Sequence, residues 1–163
     1  MAERTDQEHE TPPVEIAEIE RVADLLGGPK VLRRRLQDPL DVHEFLSHGL
    51  PRAALTHLFQ KVVLVHSQDF FELALGMSLR TFQRFKLQPR KPLSKEQSGR
   101  TWKFAEILAK ATEVFGSQQE AEQWLERPAI GLEQRRPIDL LATPAGVKLV
   151  EEFLDRVEYG VYT

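Results

Sequence analysis

Apolar positions recur at spacings of three and four along most of this chain, the period of helices that bury one face. Ile16, Ile19, Val22 and Leu26 mark a first helix, which Gly27-Gly28 stops. Pro29 opens a short second helix through Val31, Leu32 and Leu36, with Arg33-Arg34-Arg35 in its middle, and Asp38-Pro39 breaks it. Asp41 to Leu46 forms another brief turn before Gly49. From Leu50 three closely spaced helical segments follow. The first runs through Leu55, Leu58, Phe59 and Val62. The second is capped by Ser67 and carries Phe70, Phe71, Leu73, Ala74 and Leu75 to Gly76. The third is capped by Ser78 and reads LRTFQRFKL, with Phe82 and Phe85 facing inward.

Beyond a basic loop from Gln88 to Pro92, Ser94 and Gln97 form a capping box for a long helix. Its apolar face is Trp102, Ala105, Leu108, Ala109 and Thr112, and it ends at Phe115-Gly116. Ser117 and Glu120 form a second capping box, for a helix carrying Ala121, Trp124 and Leu125 before Pro128. A looser segment, Ala129 to Arg136, leads to one or two helical turns from Pro137 to Ala142. Thr143 then caps, and Pro144 opens, a terminal helix whose face is Val147, Val150, Leu154 and Val157. Tyr159, Gly160, Val161 and Tyr162 follow at once. Two tyrosines and a valine are costly to leave in water, so this tail either packs on its own domain or fits a partner's pocket. The one candidate strand, Val62 to Val65, is too short and sits between helices. The fold class is all-α, a helical domain with a central helix-turn-helix and a C-terminal helical region.

Composition narrows the function. With 163 residues there is room for one domain with a real core. The absence of cysteine excludes disulfides and thiolate metal sites. No apolar run approaches the ~20 residues of a membrane span, and the acidic N-terminus has no signal-peptide core, so a cytoplasmic protein without a membrane partner is expected. Residues 1–13, polar and closed by Pro12-Pro13, read as a disordered leader.

Charge is segregated along the chain. Residues 1–20 carry a net −6, residues 76–110 a net +7, and residues 111–163 a net −5. A basic segment inside an acidic protein points to an anionic partner for that segment alone. It coincides with a helix, a turn containing Gly76 and a second helix, the helix-turn-helix order whose second helix enters the major groove. The side chains there that the core does not need are Arg80, Thr81, Arg84 and Lys86. With Ser78 at the cap and Arg90 and Lys91 in the following loop, they are the candidate DNA contacts. Glu72 stands where a small residue usually lies four before the glycine. The three adjacent arginines, Arg33 to Arg35, point in three directions from a helix and read as a solvated surface.

Catalytic constellations are not evident. His9, His43, His48, His57 and His66 form no i, i+4 pair of the kind that binds zinc on a helix, and neither a glycine-rich phosphate loop nor a nucleophile elbow occurs. Adjacent acids such as Glu151-Glu152 diverge on a helix and read as solvated surface. The residues therefore call for no catalytic group, metal or cofactor, and the chain is expected not to be an enzyme.

Three stretches carry a family resemblance: LALGMSLRTFQRF (73–85), the run from Leu93-Ser94 through AEILAKATEVFGSQQEAEQWLERP (105–128), and RPIDLLATPAGVKLVEEFLDRVEYGVYT (136–163). Together they resemble antitoxins of the Xre/MbcA/ParS class, the partners of RES-domain toxins, over residues 14–163. One departure is Leu132-Glu133-Gln134-Arg135, where the pattern leads one to expect a glycine-bearing turn. The resemblance implies N-terminal helices at 14–49 available for oligomerisation, a helix-turn-helix region at 50–92 and a toxin-binding region at 93–163. It also implies binding to operator DNA of the protein's own operon as a dimer or larger homo-oligomer. The partner would be a RES toxin, an enzyme that degrades NAD, with the antitoxin's C-terminus inserted in its active-site cleft. Carried over by position, the inserted group is Tyr159, Gly160, Val161 and Tyr162, with Arg156 and Thr163 alongside. Two other readings stay open on the residues alone: a stand-alone DNA-binding regulator whose C-terminal helix dimerises, and a helical interaction module without DNA binding.

Overall fold

The computed structural model describes residues 14–63 and 70–160, and every statement of structure below concerns those residues. They form helices α1 (Val14–Leu25), α2 (Gly28–Leu32), α3 (Pro39–His48) and α4 (Arg52–Lys61), then a π-helical segment (Phe70–Leu75). After these come α5 (Leu79–Phe85), α6 (Lys95–Phe115), α7 (Gln118–Glu126), a 3₁₀ turn (Ile130–Leu132), α8 (Pro137–Leu140) and α9 (Pro144–Glu158). Backbone pairing of the β type is limited to isolated bridges, Pro51 with Pro92 and Ala129 with Arg135, so the described chain is all-α.

The long helix α6 is the spine. The reading of one apolar stripe was too narrow, because Phe104, Ile107 and Ala111 are buried along with Trp102, Ala105 and Leu108. A helix apolar on nearly every side must be covered on nearly every side. Here α1, α3, α7, α9 and the π-helical segment all pack on α6. Its start is held by the expected capping box, with the Ser94 hydroxyl accepting from Gln97 N–H and the Gln97 side-chain Oε1 accepting from Ser94 N–H. Ser117 caps α7 by accepting from Glu120 N–H, and Thr143 caps α9 by accepting from Gly146 N–H.

Polar groups inside this core lock the two halves together. The buried Ser98 hydroxyl of α6 accepts from Leu50 N–H at 2.8 Å. The buried Glu122 carboxylate of α7 accepts from Val63 N–H at 2.7 Å, just beyond the end of α4, while Gln118 donates to the Lys61 carbonyl at 2.6 Å. Leaving such a backbone N–H without its acceptor costs on the order of 1–3 kcal/mol.

Three local expectations change, and a fourth is met without the glycine it called for. Helix α2 stops at Leu32, with Arg33 in the left-handed region at φ 60°, so the three arginines lie in the following loop and not on a helix. The supposed brief turn at 41–46 is the ten-residue α3, because Asp38 caps it by accepting from Asp41 N–H and Pro39 starts it. The second segment of the central trio is wound as a wider π-helix, and its Glu72 is exposed. The turn at 132–135 does form, with Glu133 and Gln134 taking the left-handed conformation at φ 54° and 62° that a glycine would adopt without strain. The leader 1–13, the Ser67 cap and the 64–65 part of the short apolar run lie outside the described residues.

Candidate functional site

Two surfaces gather the residues singled out by sequence. The first is the exposed side of α5. The chain turns at Gly76, whose φ of 65° suits glycine, and Ser78 then caps α5 by accepting from Thr81 N–H at 3.1 Å. The Ser78 hydroxyl also donates to Thr81 Oγ1 at 3.0 Å, so both side chains are engaged in the cap. Beneath, Phe82 and Phe85 are buried. Phe82 lies 4.8 Å from Phe59 of α4 and 4.9 Å from Phe71 of the π-helical segment, ring centre to ring centre. Phe70 continues the cluster to Phe104 of α6 at 4.8 Å. Tilted and edge-on aromatic pairs of this kind add to the energy of area burial, so α5 is seated by its inner face.

That seating leaves Arg80, Arg84, Lys86, Arg90 and Lys91 exposed and Thr81 half-buried. Lys86 rests its ammonium over the Phe82 ring at 5.4 Å. Sequence reading passed over Gln83, which is exposed on α5 one turn from Arg80 and can bond an adenine edge. It also passed over Leu79, a partly exposed apolar side chain at the start of α5. The signal for Gln83 was its place on the face away from Phe82 and Phe85, whereas Leu79, three residues before Phe82, flanks the buried face.

The +7 segment does not act as one surface. Arg100 on α6 turns inward, donating to the Leu73 carbonyl at 3.1 Å and to that of Ala142 at 3.4 Å. Lys103 bonds Glu151 of α9 at 2.8 Å and Glu106 at 3.1 Å. Lys110 bonds Asp155 and lies 3.5 Å from Glu158, both on α9. Burial would lower both ammonium pKa values, but it is outweighed by these hydrogen bonds and carboxylate charges, which hold them above the ordinary lysine range. The bases at 80–95 stay outward, whereas Lys103 and Lys110 hold the acidic terminal helix and Arg100 ties the π-helical segment to the α8–α9 junction.

The second surface is that helix. Val150 and Leu154 are fully buried against α6, and Val147 and Val157 are half-buried. Phe153 stacks on Trp124 of α7 at 5.6 Å, and Trp124 reaches Phe115 at 5.1 Å. Gly146 sits so close to α8 that a Cβ there would come within 1.9 Å of the Leu140 carbonyl oxygen. At the far end Gly160 has φ 66°, ending the helix in a left-handed turn. Just before it Tyr159 is 76% exposed, and Arg156 is exposed on the last helical turn. The other members of the predicted tail group, Val161, Tyr162 and Thr163, lie outside the described residues. The helix is thus anchored along its length and presents its end.

Fold and surfaces together define an all-α protein with a helix-turn-helix domain and a helical C-terminal domain sharing one spine. Comparison with known proteins makes the class specific. Residues 41–106 match the model for the antitoxin Xre-like helix-turn-helix domain, and residues 110–160 match that for the antitoxin Xre/MbcA/ParS C-terminal toxin-binding domain. The boundary between the two falls inside α6. A protein named antitoxin Xre in Pseudomonas putida is 30% identical over 139 residues, covering 82% of this chain and 87% of the relative. An antitoxin Xre of Photorhabdus laumondii is 26% identical over 74% of this chain and 80% of its own. One from Yersinia enterocolitica is 33% identical over 69 residues, 42% of this chain and 47% of its own. The chain belongs to the Xre antitoxin family, with the helix-turn-helix DNA-binding domain of that family.

Proposed function

We propose that this protein is a cytoplasmic, non-catalytic antitoxin that neutralises a RES-domain, NAD-degrading toxin by placing its C-terminus in the toxin's active-site cleft. In the same reading it represses its own operon, binding operator DNA as at least a dimer. The observation that carries the toxin half is the contrast along α9: a helix locked to α6 by Leu154, Val150 and two lysines, ending in a tyrosine that its own domain leaves 76% exposed. A rigid arm with an aromatic end loses little conformational entropy when that end is buried by a partner. Arg156, Tyr159 and Gly160 are the described members of the toxin-binding group; Val161, Tyr162 and Thr163 complete it. The division into N-terminal helices at 14–49, DNA-binding region at 50–92 and toxin-binding region at 93–163 is part of the proposal.

For the DNA half, Arg80, Gln83 and Arg84 would face base edges and Lys86, Arg90 and Lys91 the phosphates, with Ser78 and Thr81 fixing the start of α5. The test is co-expression with the product of the neighbouring gene. The proposal expects the two to co-purify and cellular NAD to fall when the toxin is expressed alone and recover when this protein is present. NAD that is unaffected by the neighbour would overturn the RES assignment.

A further inference from the structure

The three adjacent arginines part company in the structure. Arg34 is engaged internally: it bonds the Asp41 carboxylate at 3.3 Å and lies over the Phe45 ring at 5.6 Å. Arg33 has no carboxylate partner among the described residues. Its left-handed backbone, closed by its own N–H on the Pro29 carbonyl at 2.8 Å, brings it to a hollow of about 400 Å³ that Lys30 and Arg90 also line. The remaining lining is apolar or proline, including Val31, Pro89 and Pro92, and no acid contributes to it. Three cations from two sequence-distant segments, the α2 end and the loop after α5, thus surround one solvent-open space with no acid in its lining, an arrangement that attracts an anion.

The position of this hollow says which anion. The loop bearing Pro89, Arg90 and Lys91 is the direct continuation of α5. It is pinned to the start of α4 by Arg52 N–H on the Lys91 carbonyl (2.9 Å) and Ala53 N–H on that of Pro89 (3.0 Å). Those bonds use the backbone donors of α4, so an anion here would be held by side chains. Arg52 and Arg84, with Phe85 and Gln88, line a further hollow at the α5 end of the same loop. Arg52 is fixed there over the Phe85 ring at 4.0 Å and donates to the Gln88 side-chain Oε1 at 3.2 Å. Basic side chains therefore continue from the proposed recognition helix across the loop to the N-terminal helices.

We infer that Lys30, Arg33 and Arg90 form a clamp for backbone phosphates of the operator duplex beside the groove that α5 enters, which makes the α2 end part of the DNA interface. This rests on the DNA-binding half of the proposed function. Such contacts position the protein without reading sequence, so they add affinity equally to operator and unrelated duplexes.

The experiment measures binding of the full-length protein to a duplex from upstream of its own gene and to a scrambled duplex, across a salt series. The variants are Lys30→Gln with Arg33→Asn, asparagine being tolerant of the left-handed backbone, then Arg90→Gln, and Arg35→Gln as a control outside the hollow. Thermal melting of each variant checks folding. Losing two phosphate contacts should flatten the slope of log K against log salt by about 1.8 and weaken both duplexes by the same factor, roughly 10–100-fold at 0.1 M salt. Arg90→Gln should flatten it by about 0.9, and Arg35→Gln should leave it unchanged. An unchanged slope in the double variant, or a loss confined to the operator, overturns the clamp while DNA binding stands. If the unmodified protein binds neither duplex, the DNA reading itself fails and takes the clamp with it.

Discussion

Replacing Leu154 by alanine tests whether the terminal helix is a built part of the domain. Leu154 is fully buried where α9 meets α6, at the floor of a groove that α1 also lines. Emptying a buried leucine site costs about 2–5 kcal/mol, and access of water from the groove favours the lower half of that range, about 2–3 kcal/mol. For a chain of this length each kcal/mol lowers the melting temperature by about 2–4 °C, so a fall of roughly 4–12 °C is expected. Leu149 provides the internal control, since it lies on another face of the same helix and is 50% exposed. Its alanine variant should stay within about 0.5 kcal/mol of the unmodified protein. Urea unfolding of all three proteins, followed by far-UV circular dichroism, gives both numbers. Two variants equally close to the parent would mean that α9 does not pack on α6 in solution, and the rigid-arm argument would be lost.

Gly146→Ala offers a test by sign. Alanine is the better helix former by about 1 kcal/mol, but here its Cβ meets the Leu140 carbonyl oxygen, so thermal melting should show a net loss of about 1–3 kcal/mol. Ser98→Ala leaves Leu50 N–H without its buried acceptor and should cost about 1–3 kcal/mol in urea unfolding. The lysines that hold α9 predict an alkaline limb. Because Lys103 and Lys110 have folded pKa values above the ordinary 10.5, the stability they lend is complete below that value and is lost as pH rises through the raised ones. The Lys103→Met, Lys110→Met double variant should therefore lose less stability than the parent between neutral and strongly alkaline pH. Equal losses would count against the lysine clamps.

What the sequence made legible is mostly local. Caps act within one helical turn, so Ser78, Ser94, Ser117 and Thr143 could be read directly, and each is seen accepting the bond it should. The inward Phe82 and Phe85 and the outward arginines of α5 followed from helical period. Long-range partners were not legible. Nothing near Ser98 announces that it bonds Leu50, and nothing near Arg100 announces that it joins the Leu73 and Ala142 carbonyls. The same blindness made the +7 segment look like one surface, when three of its bases face α9 or the interior. Arg33 to Arg35 were misplaced for a subtler reason: arginine is a good helix former, and the left-handed turn at Arg33 has no glycine to mark it. The apolar tail is legible in the sequence by its cost of exposure, and the structure sharpens that to Tyr159, exposed at the end of an anchored helix.

In the proposed antitoxin this anchored helix serves to deliver the five residues that follow it, Tyr159 to Thr163, to a toxin. The direct test is a chain ending at Glu158, without Tyr159 to Thr163, co-expressed with the product of the neighbouring gene and scored for cell growth and NAD. The shortened protein should melt like the full chain and bind operator DNA, yet leave cells unprotected and NAD depleted. Full protection by the shortened chain would contradict it.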